Sequence, residues 1–362
     1  SSSGNPLASM GVSAADAEKY VEINPKFSSG DIWMQDCMEL CSAQIDNNPE
    51  FVPAVFDSNR GRGLGGLPRS LADLWGLAYV KNPSSQMAHG DYGGNIEITP
   101  FDDVMVVGNT VTAPCKALFE KMGYAGRFFT PDTSWLTVGH IDEYMMFIPT
   151  AHAPGGYSIV KADPAYALEL LAATPDSELN QLNSGDGSFL KRVKQVLLAQ
   201  KRDPSAGLGS QEADFIDMNR KIGEIIEKNA GELKQFIRKL TNDPNRDFGE
   251  VAWPGLFEGR NGPRPSGCCA FLPGVVNMLV LRDHLVVPAC HIPTFDKQIE
   301  ARFRAQGNKV HFVDDEPYHN SMGEIHCGTN VLRAIGKTVV KREQVQRVQQ
   351  LKGLFRTLHE RP

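Results

Sequence analysis

The chain has 362 residues, 41% of them hydrophobic and 22% charged, with a formal net charge of −6. This is a globular composition with enough apolar side chains for a large core. Without clustered Lys and Arg there is no nucleic-acid footprint, and no run reaches the ~18 consecutive apolar residues of a membrane helix, so neither nucleic acid nor membrane is expected as a partner.

In chain order, 19–23 reads as a short strand. Residues 31–40 read as a strand whose alternation puts Gln35, Cys37 and Glu39 on one face and Asp36 on the other. A Gly-rich loop covers 60–66. Strands are expected at 103–107, 135–149 and 157–161. The middle changes period: 165–173, 189–198 and 212–240 read as helices, the last with Phe215, Met218, Ile222, Ile225, Ile226, Leu233, Phe236, Ile237 and Leu240 at three- and four-residue spacing. Strand signals return at 275–281 and 309–313, and a charged helical tail starts at 341. Strands and helices alternate without a break in composition, which predicts one α/β domain spanning 1–362.

Seven cysteines, at 37, 41, 115, 268, 269, 290 and 327, form no CxxC pair and are odd in number. A reducing, cytoplasmic setting is the expectation. Cys327 lies in Gly323-Glu324-Ile325-His326-Cys327-Gly328-Thr329-Asn330, a tight loop of small and polar residues where a substrate can approach a thiol. His140 and Asp142, two apart on the expected strand, would stand side by side. Asp36 lies among apolar neighbours and is costly to bury without a partner.

Cys, His and two Asp together suit one chemistry. A guanidinium is planar, permanently charged and presents donors in a fixed fork. Two carboxylates can grip it and offset its charge. A thiolate can attack its central carbon, and a His can protonate the departing nitrogen.

With these residues in view, the chain resembles the catalytic domain of the protein-arginine deiminases. The shared segments, in order, are Trp33-Met34-Gln35-Asp36, Val55-Phe56-Asp57-Ser58, Gly94-Asn95-Ile96-Glu97, Val138-Gly139-His140-Ile141-Asp142-Glu143, Val276-Asn277-Met278-Leu279-Val280-Leu281 and His326-Cys327-Gly328-Thr329-Asn330. Asn219-Arg220 also fits. The resemblance spans roughly 30–333. It implies a five-bladed α/β propeller, the pentein fold, of pseudo-fivefold ββαβ modules. It also implies hydrolysis of peptidyl arginine to peptidyl citrulline and ammonia through a thiouronium on Cys327.

Carried over by position, Cys327 is the nucleophile, His140 the general acid, and Asp36 and Asp142 the guanidinium clamps. Trp33 and Val138 would line the substrate, and Arg60 and Arg62 would hold its backbone carbonyls. The family's animal members use calcium, so Ca2+ is an implied cofactor, with no organic cofactor. One calcium site is expected at Gln35, Glu39, Glu97 and the carbonyls of Gly93 and Ile96. A second, at Asp57 and Ser58, is expected to be damaged, because Cys37 and Gly61 replace oxygen donors and a thiol suits a hard cation poorly. Ser321-Met322 stand where a basic pair is common. The family's amino-terminal domains are expected to be missing, with the first module incomplete. The expected partners are proteins or peptides with accessible arginine. The alternatives are a pentein hydrolase of free arginine or a small guanidine, and a non-catalytic arginine-binding module.

Overall fold

The computed structural model describes residues 30–45, 50–85, 87–150, 153, 155–259 and 262–332. The strand expected at 19–23 and the tail from 341 lie outside these. Within them one plan recurs four times: two antiparallel strands, a helical connection, and a third strand parallel to the second.

The first unit pairs β1 (Met38–Gln44) with β2 (Phe51–Asp57) and passes through α2 (Leu67–Trp75) to β3 (Ala78–Lys81). The short α1 (Met34–Cys37) precedes it. The second joins β4 (Ile96–Ile98), β5 (Met105–Val107) and β6 (Phe128–Phe129) through α3 (Ala113–Phe119). The third joins β7 (Met145–Pro149), β8 (Tyr157–Ala162) and β9 (Gly249–Trp253). Its connection is enlarged to α4 (Pro164–Ala173), α5 (Asp176–Leu179), α6 (Ser184–Gln200) and α7 (Gln211–Leu240). The two-stranded pair β10 (Phe257–Glu258) and β11 (Cys269–Ala270) follows. The last unit joins β12 (Leu279–Leu281), β13 (His284–Pro288) and β14 (Lys309–Val313) through α8 (Pro293–Ala305), with α9 (Glu316–His319) leading to the Cys327 loop.

The α/β class and the three expected helices agree with this architecture. The helical spacing of α7 does what an apolar stripe should: Phe215, Met218, Ile222, Ile226, Leu233 and Ile237 are buried in the largest core cluster. Asn219, buried on the same helix, receives the Phe257 N–H at 2.9 Å and donates to the Phe257 carbonyl at 2.8 Å, fixing β10 against it. No helix in the described residues is long and apolar enough to cross a membrane.

Three expected strands need correction. Residues 34–37 form a helical turn, so the expected alternation of Gln35, Cys37 and Glu39 fails; Gln35 and Glu39 meet instead as an i, i+4 pair, with the Gln35 amide donating to Glu39. The strand expected over 135–149 is confined to Met145–Pro149. His140 precedes a 3-10 turn at Ile141–Glu143, and Glu143 Oε1 accepts from the backbone N–H of Gly139 (3.0 Å) and His140 (2.8 Å). The strand expected over 275–281 begins only at Leu279, since a turn closes Asn277 N–H on Gly274 O at 2.9 Å. In each case a side chain or turn that satisfies backbone donors locally outcompetes the ladder.

Candidate active site

These corrections share a geometry. A tight turn stands just before the opening strand of each unit and carries a residue that borders the site: Asp36 before β1, Gly94 before β4, His140 and Asp142 before β7, Asn277 before β12. The Cys327 loop joins them. Its main chain is tied to α1, with Gln35 N–H donating to Cys327 O at 3.1 Å, and to β1, with Asn330 Nδ2 donating to Met38 O at 2.8 Å.

A cavity of about 620 Å³ opens at this convergence, with Trp33, Asp36, His140, Asn277 and Cys327 in its wall and Val138, Arg62 and His89 around them. Cys327 is 8% exposed. Its Sγ lies 3.5 Å from Asp142 Oδ2 and receives Asn277 Nδ2 at 3.2 Å. Burial, followed by the negative charges of Asp142, Asp36 and Glu324, pushes the thiol well above its ordinary range, and the Asn277 bond works against that rise. Burial and these carboxylates together disfavour the Cys327 thiolate.

His140 is buried, and its Nε2 lies 2.9 Å from the His89 carbonyl. A carbonyl only accepts, so Nε2 carries a hydrogen. Nδ1 faces Asp36 Oδ1 at 3.6 Å. Asp142 is fully buried behind the cavity wall; its Oδ2 accepts from His326 Nδ1 at 2.9 Å, while Oδ1 has no hydrogen-bond partner. Gly94 lies against both side chains. A Cβ there would sit 2.6 Å from His140 Nδ1 and 2.9 Å from Asp142 Oδ2.

Asp36 carries a raised pKa, chiefly from burial, opposed by His140 and Arg60. Its Oδ2 accepts Arg60 Nη1 at 2.7 Å, and its Oδ1 has no hydrogen-bond partner. Arg60 is 4% exposed. It also donates through Nε to Asp31 at 2.8 Å and lies over the Tyr92 ring at 4.8 Å. Arg60, expected to reach a substrate carbonyl, is thus turned inward onto Asp36 and Asp31. Arg62 is exposed at the cavity mouth. Trp33 packs on Tyr318, ring centroids 5.7 Å apart, in space that a Cβ on Gly323 would invade at 2.6 Å.

The expected calcium residues Gln35, Glu39, Ile96 and Glu97 border a second cavity of about 700 Å³, which His326 also lines. Their oxygens suit a hard cation. They do not form a cage: the Gln35 amide is bonded to Glu39, and the Gly93 main chain is packed against Gln35 O and Glu39 Oε1. Among the described residues no group of three or more His, Cys, Asp or Glu is placed to hold a metal. In the second expected set, Asp57 accepts Asn59 N–H at 2.8 Å and the Tyr79 hydroxyl, and Ser58 Oγ donates to Asp36 O at 2.6 Å. Cys37 is a buried thiol raised to about 12, mainly by burial.

Roles for Asn277, His326, Gly94 and the His89 carbonyl are absent from the sequence reading. The signal for Asn277 was available, since it is a lone amide inside the apolar run 271–281.

The family pattern described as "Protein-arginine deiminase (PAD)" matches residues 127–338, more than half of the chain. The chain belongs to the protein-arginine deiminase family. It is 28% identical over 333 residues to protein-arginine deiminase type-1 of Homo sapiens and 28% identical over 342 residues to type-4 of Mus musculus. Each alignment covers 84% of this chain and 46% of the relative, so the chain spans about half the length of the curated family members it matches. Among solved structures, an agmatine deiminase of C. jejuni overlays with a TM-score of 0.47 at 14% identity, covering 90% of this chain and 80% of that one. The overlay is loose.

Proposed function

We propose that this chain deiminates arginine in peptides or proteins, giving citrulline and ammonia, in the cytoplasm. The observation that carries the reading is the meeting of Cys327, His140 and Asp36 in one cavity wall, with Asp142 directly behind the sulfur. The four ββαβ units and the β10–β11 pair are read as the five blades of a pentein propeller, whose strand-opening turns supply the site.

In this mechanism the substrate guanidinium enters between Asp36 and Asp142, and its positive charge offsets the carboxylates that hold Cys327 neutral. The thiol proton passes to bulk water and the sulfur attacks the guanidinium carbon, forming a C–S bond. His140 Nδ1 gives a proton to one terminal nitrogen, and that C–N bond breaks to release ammonia. The thiouronium remains on Cys327. His140 then takes a proton from water, the hydroxide adds to the same carbon, and the C–S bond breaks to leave citrulline and the thiol. Trp33 and Val138 flank the arginine stem, and Arg62 takes a substrate carbonyl.

A second reading, hydrolysis of free arginine or a small guanidine, is favoured by Arg60, whose inward pairing leaves Arg62 to hold a peptide main chain. Colorimetric citrulline assays on a blocked arginine peptide and on free arginine separate the two. The expected result is citrulline from the peptide, absent in Cys327→Ala. Equal turnover of free arginine selects the second reading, and no citrulline from either, with or without calcium, overturns both.

A further inference from the structure

Asn277 holds the Cys327 loop with a single carboxamide. Its Oδ1 accepts the backbone N–H of Glu324 at 3.2 Å and of Cys327 at 3.0 Å. Backbone N–H groups can only donate, so that atom is oxygen and the amide cannot be flipped. The opposite atom is therefore the NH2 group, and it points at two acceptors: the Asp142 carbonyl at 3.3 Å and the Cys327 sulfur at 3.2 Å. The Asn277 main chain adds a third tie, its carbonyl accepting His326 N–H at 3.0 Å. The side chain is 1% exposed, so the bond to sulfur is made at the inner wall of the cavity, where screening by water is weak.

We propose that Asn277 is a catalytic residue whose Nδ2–H group donates to the Cys327 sulfur and stabilises its thiolate, while Oδ1 of the same amide fixes the loop that carries it. This rests on Cys327 being the nucleophile. The charged groups facing that sulfur argue for such a donor. Asp142, Asp36 and Glu324 all oppose a thiolate there, and the two histidines near it are engaged elsewhere, His326 on Asp142 and His140 on the His89 carbonyl with Asp36 at its other nitrogen. A neutral amide supplies hydrogen-bond donation without adding a cation that would repel the substrate guanidinium. The thiol proton goes to bulk water as the thiolate forms.

Asn277→Asp keeps an oxygen to accept the two backbone N–H groups but replaces the donor with a carboxylate, while Asn277→Ala removes the donor without adding a charge, so the expected shift must appear in both variants. Alkylation of Cys327 by iodoacetamide, followed by mass spectrometry across pH, reads the thiolate without any substrate. The expected result is an alkylation profile moved to higher pH and a rate at pH 7.5 lower by about ten- to a hundredfold, the effect of losing a hydrogen bond to a charged acceptor. kcat should fall in parallel, with KM little changed. An unchanged alkylation profile overturns the proposal, even if kcat drops. Should the variant not fold, the parent decides: the Asn277 side-chain 15N–H2 resonance should follow the titration of Cys327, and a resonance flat with pH overturns the idea. A parent without citrulline production but with this alkylation behaviour would refute the proposed activity and leave the thiolate donor standing.

Discussion

Cys327 Sγ and Asp142 Oδ2 stand 3.5 Å apart, with Asp142 also held from behind by His326. A carboxylate this close to a buried thiol opposes its ionisation. Removing the charge should therefore lower the pH at which Cys327 becomes a thiolate. Asp142→Asn is expected to react faster with iodoacetamide at neutral pH than the parent, yet to lose arginine turnover, because half of the guanidinium grip is gone. Slower alkylation in the variant would show that Asp142 does not raise the thiol.

His140 is the second case. With Nε2 committed to the His89 carbonyl, Nδ1 is the nitrogen that would act as acid and then as base in the proposed reaction. His140→Ala should lower kcat by about 10²–10⁴-fold, the usual worth of a positioned acid–base group. Single-turnover quench experiments check the assignment. Loss of the acid should slow formation of the covalent adduct on Cys327, and an unaffected adduct rate would remove His140 from the first step.

Gly94 gives a sharper geometric test. A methyl group there would press on His140 Nδ1 and Asp142 Oδ2 at once. Both side chains are fully buried and packed, so neither can swing aside cheaply. Gly94→Ala is expected to fold and to lose about 10²-fold in kcat, as small misplacements of catalytic groups do. A variant with parental kcat would mean that the pair need not keep this spacing.

Much of this was legible in the chain itself. The helix 212–240 followed from its apolar period, and Cys327, His140, Asp142 and Asp36, singled out by residue type and given roles by the resemblance, are brought close together in the fold. The local backbone around those residues was not legible. Alternation suggested strands at 34–37 and 140–142, but at both places the chain turns first and pairs afterwards. Pattern reading does not detect a carboxylate such as Glu143 collecting two backbone N–H groups, because that depends on three-dimensional reach. The inward turn of Arg60 was invisible for the same reason: its partners Asp31 and Asp36 lie 29 and 24 residues away in sequence.

Asp315 yields a prediction in pH. Its carboxyl is raised to about 7, mainly by burial and then by the nearby Glu324. Oδ2 accepts the Ile325 N–H of the Cys327 loop at 3.1 Å, and Oδ1 has no hydrogen-bond partner. A carboxyl whose folded pKa lies above its ordinary 3.8 favours the folded state while protonated. That contribution is complete below about pH 4 and is lost as pH rises through about 7. Asp315→Asn stays neutral throughout. Its melting temperature should gain on the parent's between pH 5 and pH 8, with no such gain below pH 4, as read by circular dichroism melts. A constant difference across that range would place Asp315 outside the pH response.

Calcium dependence should be weak by the standard the resemblance sets. Cys37 is a neutral buried thiol hydrogen-bonded to the Met34 carbonyl at 3.4 Å, and Asp57 and Ser58 have oxygens already engaged inside the protein. A cation at that second set would first have to break these bonds, and it would gain no hard donor from Cys37. Around Gln35 and Glu39 the Gln35 amide donates to Glu39, so a cation binding there would first have to displace that bond. Titration of chelated protein with CaCl2, read by calorimetry and citrulline formation together, should give at most one binding event and a shallow rise in activity. A steep cooperative rise with several ions bound would show that the turns before β1 and β4 rearrange into cages that the present packing does not contain.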